Sequence, residues 1–117
     1  MYVDGFLLAV SKDKLEDYKQ MSREAGAIWK EYGALTYVEC IGDDVPYGKL
    51  TSFPRAVQAT DEEIVVFSWI TYPSREVRDA ANKKVMEDPR MKAWEGKPMP
   101  FDGKRMIFGG FTPFLEL

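Results

Sequence analysis

The sequence of 117 residues contains no histidine and only one cysteine, Cys40. The absence of histidine excludes Ser/His/Asp and Cys/His nucleophiles, zinc sites with imidazole ligands and a haem held by a proximal histidine. A single cysteine excludes an intrachain disulfide and a thiolate metal cluster. We therefore expect no metal and no cofactor, and any proton transfer has to use a carboxylate or a tyrosine.

The chain also lacks a strong charge bias and a long hydrophobic run. Lys and Arg total 16 against 19 Asp and Glu, a net charge of −3, so no surplus of positive charge is available for a nucleic acid backbone. The longest apolar run, Phe6 to Val10, is far shorter than the roughly 20 residues of a membrane-spanning helix. Asp4 precedes that run and no Lys or Arg does, unlike a secretory signal. We expect a cytoplasmic protein with a single domain over residues 1–117.

What is present predicts four strands and two long helices. Period-two or continuous apolar patterns favour strands at Tyr2–Val10, Ala34–Ile41, Ile64–Tyr72 and Arg105–Phe114. Helical spacing favours helices from Leu15 to Tyr32 and from the Ser74 cap to Asp88. We interpret Leu50 to Ala59 as a short edge strand, because Pro54 is tolerated mainly at sheet edges.

The order β-α-β-β-α-β is typical of an α+β, ferredoxin-like fold, an antiparallel sheet with both helices on one face. The predicted strands are nevertheless apolar at both alternating sets of positions, as Phe6 and Leu8 against Leu7 and Ala9 show. A solvated second face would carry polar residues at every other position. We therefore predict a homodimer in which a second copy of the sheet covers this face.

Several separated segments resemble the small bacterial YbaA-like family of unknown function. These segments are MYVDGF at the N-terminus, YVEC at 37–40, GDDVPYGK at 42–49, TSFPRAV at 51–57, VVFSWITYPSREVRDAAN at 65–82, DPRMK at 88–92 and MPFDGKRMIFGGF at 99–111. That family is similar in fold to the dimeric α/β-barrel proteins, a superfamily that includes cofactor-free antibiotic-biosynthesis monooxygenases and haem-degrading monooxygenases. The resemblance implies a fold and a dimer, and it supplies no catalytic residue.

The wider superfamily implies chemistry only where its functional residues match. Its haem-degrading members use a histidine ligand, and this chain has none. Its cofactor-free oxygenases use polar and aromatic side chains around a polyaromatic substrate, and Trp69 and Asn82 are residues of those types here.

Two carboxylates on predicted strands, Asp4 and Glu39, are candidate site residues. A carboxylate at an inward position of a sheet is costly unless it is paired. One interpretation is a structural ion pair with Arg55 or Arg105, or an outward-pointing edge residue. The other is a pocket carboxylate with a raised pKa that acts as a base without histidine.

Arg55, Arg105 and Trp69 complete the candidate binding residues. Opposite charges suggest that Arg55 pairs with Asp102 and that Arg105 pairs with Asp4, whereas an arginine left facing a cleft would bind an anionic ligand. Trp69 lies in an apolar strand, where an aromatic side chain fills a core or an interface or lines a binding site.

The loop carboxylates Asp43, Asp44 and Asp102 lie among Gly and Pro residues. Their spacing matches no calcium loop, so we interpret them as turn-forming side chains.

Two functions therefore stay open. The first is binding of a small apolar or anionic metabolite in a cleft between helices and sheet. The second is a cofactor-free oxygenase or isomerase in which Asp4, Glu39 or a tyrosine moves a proton. A carboxylate, tyrosine or arginine lining an enclosed pocket of roughly 300 Å³ would favour the second.

Overall fold

Four antiparallel strands form a single sheet in the computed structural model, which describes residues 1–117. The strands are β1 (Tyr2–Ser11), β2 (Thr36–Ile41), β3 (Glu63–Tyr72) and β4 (Ile107–Phe111). The helices are α1 (Leu15–Glu31), α2 (Phe53–Ala56), α3 (Arg75–Glu87) and α4 (Pro89–Lys92), and a 3-10 turn at Lys12–Lys14 leads into α1. The sheet order β2-β3-β1-β4 confirms the ferredoxin-like α+β fold.

Strand pairing assigns every side chain of the sheet to one of two faces. Leu8 of β1 lies opposite Val66 of β3, and both pack against α1. The next pair, Leu7 and Phe67, points the other way because side chains alternate along a strand. We call the side of the even-numbered β1 and β3 residues the helix face, and the side of their odd-numbered residues the open face.

The two long helices both lie on the helix face, as predicted. Tyr18 of α1 packs on Leu8, and Ala81 of α3 packs on Tyr72. The predicted cap of α3 is confirmed, since the backbone N–H of Val77 donates to Ser74 Oγ at 3.2 Å. None of the helices combines the length and the hydropathy needed to cross a bilayer.

The connection between β2 and β3 differs from the prediction. The edge strand expected at Leu50–Ala59 is wrong, because the one-turn helix α2 occupies this stretch. Ser52 Oγ accepts a hydrogen bond from the backbone N–H of Arg55, and Pro54 suits the first turn of a helix, where its missing N–H has no helical partner. The connection then places Val57 against the open face, where it is 1% exposed and contacts Leu7.

Gly26 brings α1 into direct contact with β2. A Cβ atom at this position would lie 2.7 Å from Cδ1 of the Tyr37 ring, closer than real Cβ contacts allow. Only a residue without a side chain lets the helix backbone lie on this ring. The contact fixes the height of α1 above Tyr37 and therefore above the helix-face residues of β2.

Gly26→Ala is expected to destabilise the protein by about 1–2 kcal/mol. Overpacking a filled interior costs about 1–3 kcal/mol, which outweighs the gain of up to about 1 kcal/mol from alanine in a helix interior. Urea unfolding measures the difference. Gly103→Ala is the matched control, because a Cβ there meets nothing within 4 Å. A Gly26→Ala variant as stable as wild type would contradict this account of the helix–strand contact.

Candidate functional site

An apolar cavity lies between α1 and the helix face of the sheet. Its volume is ≈ 210 Å³, and 15 of its 18 lining residues are hydrophobic. It is smaller than the roughly 300 Å³ at which drug-sized ligand pockets begin. An engineered apolar cavity of about 150 Å³ in another protein takes up benzene. The cavity therefore suits a molecule of about one ring.

The inner side of α1 forms one wall of the cavity. Tyr18, Ser22, Ala25 and Trp29 follow one another at spacings of three or four residues and all line it, which is the spacing that places side chains on one side of a helix. The outer side of α1 carries most of its charged residues. The amphipathic pattern that docks the helix therefore also supplies the cavity wall.

Strands β2 and β3 supply the polar residues of the opposite wall. Tyr37 and Glu39 are two residues apart in β2, so their side chains share a face. Ser68 of β3 is the Cα partner of Glu39 and is buried. A hydroxyl and a carboxylate thus meet at one end of a cavity that is otherwise apolar.

The segment from α4 to β4 closes the side of the cavity. Phe101 anchors it through a bridge to Val10 and an edge-on contact with the Tyr18 ring, with centroids 5.8 Å apart. Four of the six methionines line the cavity: Met21, Met91, Met99 and Met106. Three of them belong to this segment and Met21 belongs to α1; methionine side chains are flexible and polarizable and fill irregular spaces.

Glu39 is the only charged side chain among the lining residues. Tyr18 Oη donates to its Oε2 at 2.8 Å, and Tyr37 Oη donates to its Oε1 at 3.1 Å. No ion pair compensates the carboxylate, since no Lys or Arg lies within salt-bridge distance. Two phenol donors therefore hold Glu39 in place of a cation.

Burial sets the protonation of this cluster. Desolvation raises the pKa of Glu39 above its ordinary value, although hydrogen bonds from Tyr18 and Tyr37 oppose the shift. Burial first, and the adjacent Glu39 second, raise the pKa values of both tyrosines far above 10.0. The phenols therefore stay protonated donors, while burial favours the protonated form of Glu39 relative to an exposed glutamate.

Ser22 has an unused hydroxyl beside this cluster. The residue is 8% exposed, and its Oγ has no hydrogen-bond partner. A buried hydroxyl without a partner costs about 1–3 kcal/mol. Because Ser22 lines the cavity, a molecule inside it can supply the missing partner.

Asp4 forms an ion pair outside the cavity. Its Oδ1 accepts from Arg78 Nη2 at 2.9 Å, and Arg78 Nε lies 3.1 Å from both of its carboxylate oxygens. The expected pairing with Arg55 or Arg105 is wrong. The register places Arg105 near the other end of β1, about 20 Å from Asp4 at 3.3 Å per residue, whereas α3 carries Arg78 directly over Asp4.

The two candidate arginines are both engaged away from the cavity. Arg105 Nη2 donates to Glu63 Oε2 at 2.6 Å, and Arg105 Nε donates to Asp102 at 3.2 Å. The expected pairing of Arg55 with Asp102 is wrong, because Arg55 donates to the carbonyl oxygens of Tyr47 and Gly48. Asp102 instead accepts from the backbone N–H of Lys104, which is the turn interaction that we predict for it.

Trp69 lies on the open face. Its ring centroid is 5.9 Å from that of Phe67, two residues away on the same side of β3, and the residue also borders the cavity. Asn82 is held separately, since its Oδ1 accepts from Trp29 Nε1 at 3.2 Å and from Tyr72 Oη at 3.4 Å. The structure therefore does not bring Trp69 and Asn82 together around one site.

Comparison with known proteins identifies the family. A family model described as "Protein of unknown function (DUF1428)" matches residues 1–103. The chain belongs to the DUF1428 family. It is 58% identical over 115 residues to the "Uncharacterized protein YbaA" of Escherichia coli strain K12, covering 98% of this chain and 97% of that protein. The resemblance to the YbaA-like family is thus confirmed.

Solved structures share the fold of this DUF1428 chain. A NIPSNAP domain protein from Burkholderia xenovorans matches with a TM-score of 0.60 at 16% identity, over 97% of this chain and 94% of that chain. A dimeric ferredoxin-like protein from an uncultured marine organism matches with a TM-score of 0.56 at 11% identity, over 100% and 98%. At these identities the likeness shows the fold alone.

Sequence reasoning selected Glu39 in the DUF1428 chain but missed its partners. Tyr18 and Ser22 are four residues apart on the apolar stripe of α1, and Tyr37 shares the alternation of Glu39. Polar residues on the inward side of both α1 and β2 indicate that these side chains can contact one another. Which of them meet depends on how α1 lies across β2, and the sequence pattern does not contain that information.

The free energy of unfolding of the wild type is expected to fall as the pH rises above 4.5. Glu39→Gln is expected to make this fall smaller. The folded state binds the Glu39 proton more tightly than the unfolded state, whose carboxyl titrates near 4.5. The stability that this proton provides is complete below that pH and is lost as the pH rises through the raised pKa. Glutamine carries no such proton. Urea unfolding from pH 4.5 to about 8, at one protein concentration, measures the difference.

Glu116→Gln is the matched control, because Glu116 is exposed at the C-terminus. The carboxylates with lowered pKa values do not interfere, since Glu63, whose pKa Arg105 lowers to about 2, changes stability only below pH 4.5. If the free energy of unfolding changed equally with pH in wild type and in Glu39→Gln, the prediction would be wrong.

Proposed function

We propose that this protein is a cytoplasmic homodimer that binds a small apolar metabolite in the cavity between α1 and the sheet. The observation that carries the proposal is a largely apolar cavity of ≈ 210 Å³ containing one carboxylate and no positively charged side chain. Of the two ligand classes expected from the sequence, this lining favours the apolar one, because an anion would meet Glu39 without a cation to balance it. The partly exposed thiol of Cys40 supports a reducing compartment.

A cofactor-free isomerase or oxygenase is the second candidate. The observation that favours it is Glu39, which has a raised pKa and lies at the wall of the cavity. A carboxylate of this kind is suited to take a proton from a bound carbon acid. A binding protein releases its ligand unchanged, whereas an isomerase exchanges the proton of the ligand with deuterated water. Incubation of the retained ligand with the protein in aerated deuterated water, followed by mass spectrometry for deuterium or oxygen incorporated into the ligand, therefore separates the two candidates.

The open face supports the homodimer. Phe67 is 45% exposed although β3 is an interior strand, and Ile107, Phe111 and Phe53 are 48%, 62% and 51% exposed around it. Exposed aromatic side chains grouped on one sheet face are typical of an interface. One protein of the same fold, the ferredoxin-like protein from an uncultured marine organism, is dimeric. We propose that the open face of a second copy of the chain covers this surface, because it carries the same alternating apolar residues.

Ala25→Leu is expected to reduce ligand retention without loss of stability. Ala25 lines the cavity, so a larger apolar side chain fills ligand space and adds about 0.5–2 kcal/mol of stability where it fits. Native mass spectrometry of the protein purified from its host measures the retained ligand. Ala27→Leu, on the exposed side of the same helix, is the matched control. Wild-type protein that carries no ligand, or equal retention in Ala25→Leu, would contradict the proposal.

Phe67→Glu is expected to convert the dimer into a monomer. A charged side chain at the centre of the open face would be buried without a partner in the dimer, at a cost of several kcal/mol. Light scattering measures the mass, which should fall from twice 13.4 kDa to 13.4 kDa. Met86→Glu is the control, because Met86 is an exposed apolar residue of α3, on the other side of the sheet. Wild-type protein with a mass of 13.4 kDa at micromolar concentration would overturn the dimer.

A further inference from the structure

The polar end of the cavity has hydrogen-bonding capacity that the protein leaves unused. A carboxylate accepts about four hydrogen bonds, and side chains supply two to Glu39, one at each oxygen. The hydroxyl of Ser22 is buried without a hydrogen-bond partner, and Ser22 lines the same cavity as Glu39. The cavity therefore contains two groups with unused hydrogen-bonding capacity. The Glu39 carboxylate can accept a further hydrogen bond, and the Ser22 hydroxyl can donate or accept one.

Resting on the proposed function, we propose that the ligand is an uncharged molecule of about one ring that carries a hydroxyl group. The hydroxyl donates its hydrogen to the Glu39 carboxylate and accepts a hydrogen bond from Ser22 Oγ, while the apolar body contacts the methionine and aromatic walls. Glu39 and Ser22 thereby become the residues that determine specificity.

Other polar groups match this pair of residues less well. A carboxylate or phosphate has no hydrogen to donate and repels Glu39 in a cavity with no Lys or Arg. An ammonium group can donate to both Glu39 and Ser22 Oγ, but burying a second charge in this largely apolar cavity costs more desolvation than burying a neutral hydroxyl. A hydrocarbon fills the volume and leaves both positions unsatisfied. A hydroxyl is both donor and acceptor and therefore satisfies both residues at once.

Calorimetric titration of the full chain with three probes of similar shape tests this inference. p-Cresol carries the hydroxyl, p-xylene replaces it with a methyl group and p-toluate replaces it with a carboxylate. NMR of the indole N–H groups of Trp29 and Trp94, which both line the cavity, shows where each probe binds. The comparison in wild-type protein requires no variant to fold.

We expect p-cresol to bind at least as tightly as p-xylene, although its hydroxyl is costlier to dehydrate, and p-toluate to bind more weakly than either. Glu39→Gln is expected to weaken p-cresol about tenfold, as loss of a hydrogen bond to a charged group does. Ser22→Ala is expected to weaken it about threefold. The affinity for p-xylene should change by less than about twofold in both variants, and Glu116→Gln is the control for the loss of a carboxylate.

The outcomes separate this inference from the proposed function. Binding of p-xylene with weaker binding of p-cresol, or tighter binding of p-toluate, would overturn the hydroxyl assignment and leave an apolar binding site. Unchanged p-cresol affinity in both variants would also overturn it. If neither p-cresol nor p-xylene shifts the indole signals, both the inference and the proposed function are wrong.

Discussion

The Glu39 carboxylate lies under α1 without an ion pair, and the side chains around it are arranged to offset the cost of burying it. Tyr18 from the helix and Tyr37 from the same strand each donate one hydrogen bond. Gly26 allows α1 to lie on the Tyr37 ring, and this close contact brings the wall of the cavity to Glu39. Hydrogen bonds from both α1 and β2 therefore converge on one half-buried acidic group at the wall of the cavity.

Asp4 is a useful contrast, because it occupies the same face of the sheet. It is 5% exposed, and Arg78 of α3 binds it through two nitrogen atoms. A guanidinium gives a carboxylate charge-assisted hydrogen bonds from two nitrogen atoms at once. Glu39 has only neutral donors and unused acceptor sites. Two acidic residues on one face thus differ in environment, since one is bound by a guanidinium and the other is held by neutral donors.

The sheet separates the two surfaces that we assign to the ligand and to the partner subunit. The cavity lies on the helix face, whereas Phe67 and Phe111 are exposed on the open face. The β2–β3 connection covers only part of the open face, through Val57. A dimer formed through the rest leaves α1 and α4 on the outside, so the cavity walls stay accessible when the second copy binds.

The sequence by itself determined the order of the four strands and two long helices, because these follow from local periodicity. Which alternating set of each strand faces the helices, and that Asp4 and Glu39 lie on that face, came from the strand register. It did not determine α2, since Pro54 suits an edge strand and a first helical turn equally well, and the Ser52 cap decided between them. Only the tertiary structure decided the partners of the charged groups. Arg78 is 74 residues from Asp4, and Tyr18 is 21 residues from Glu39. Charge and spacing along the chain do not predict these contacts, because it is the strand register and the docking of α1 and α3 that place the side chains beside one another.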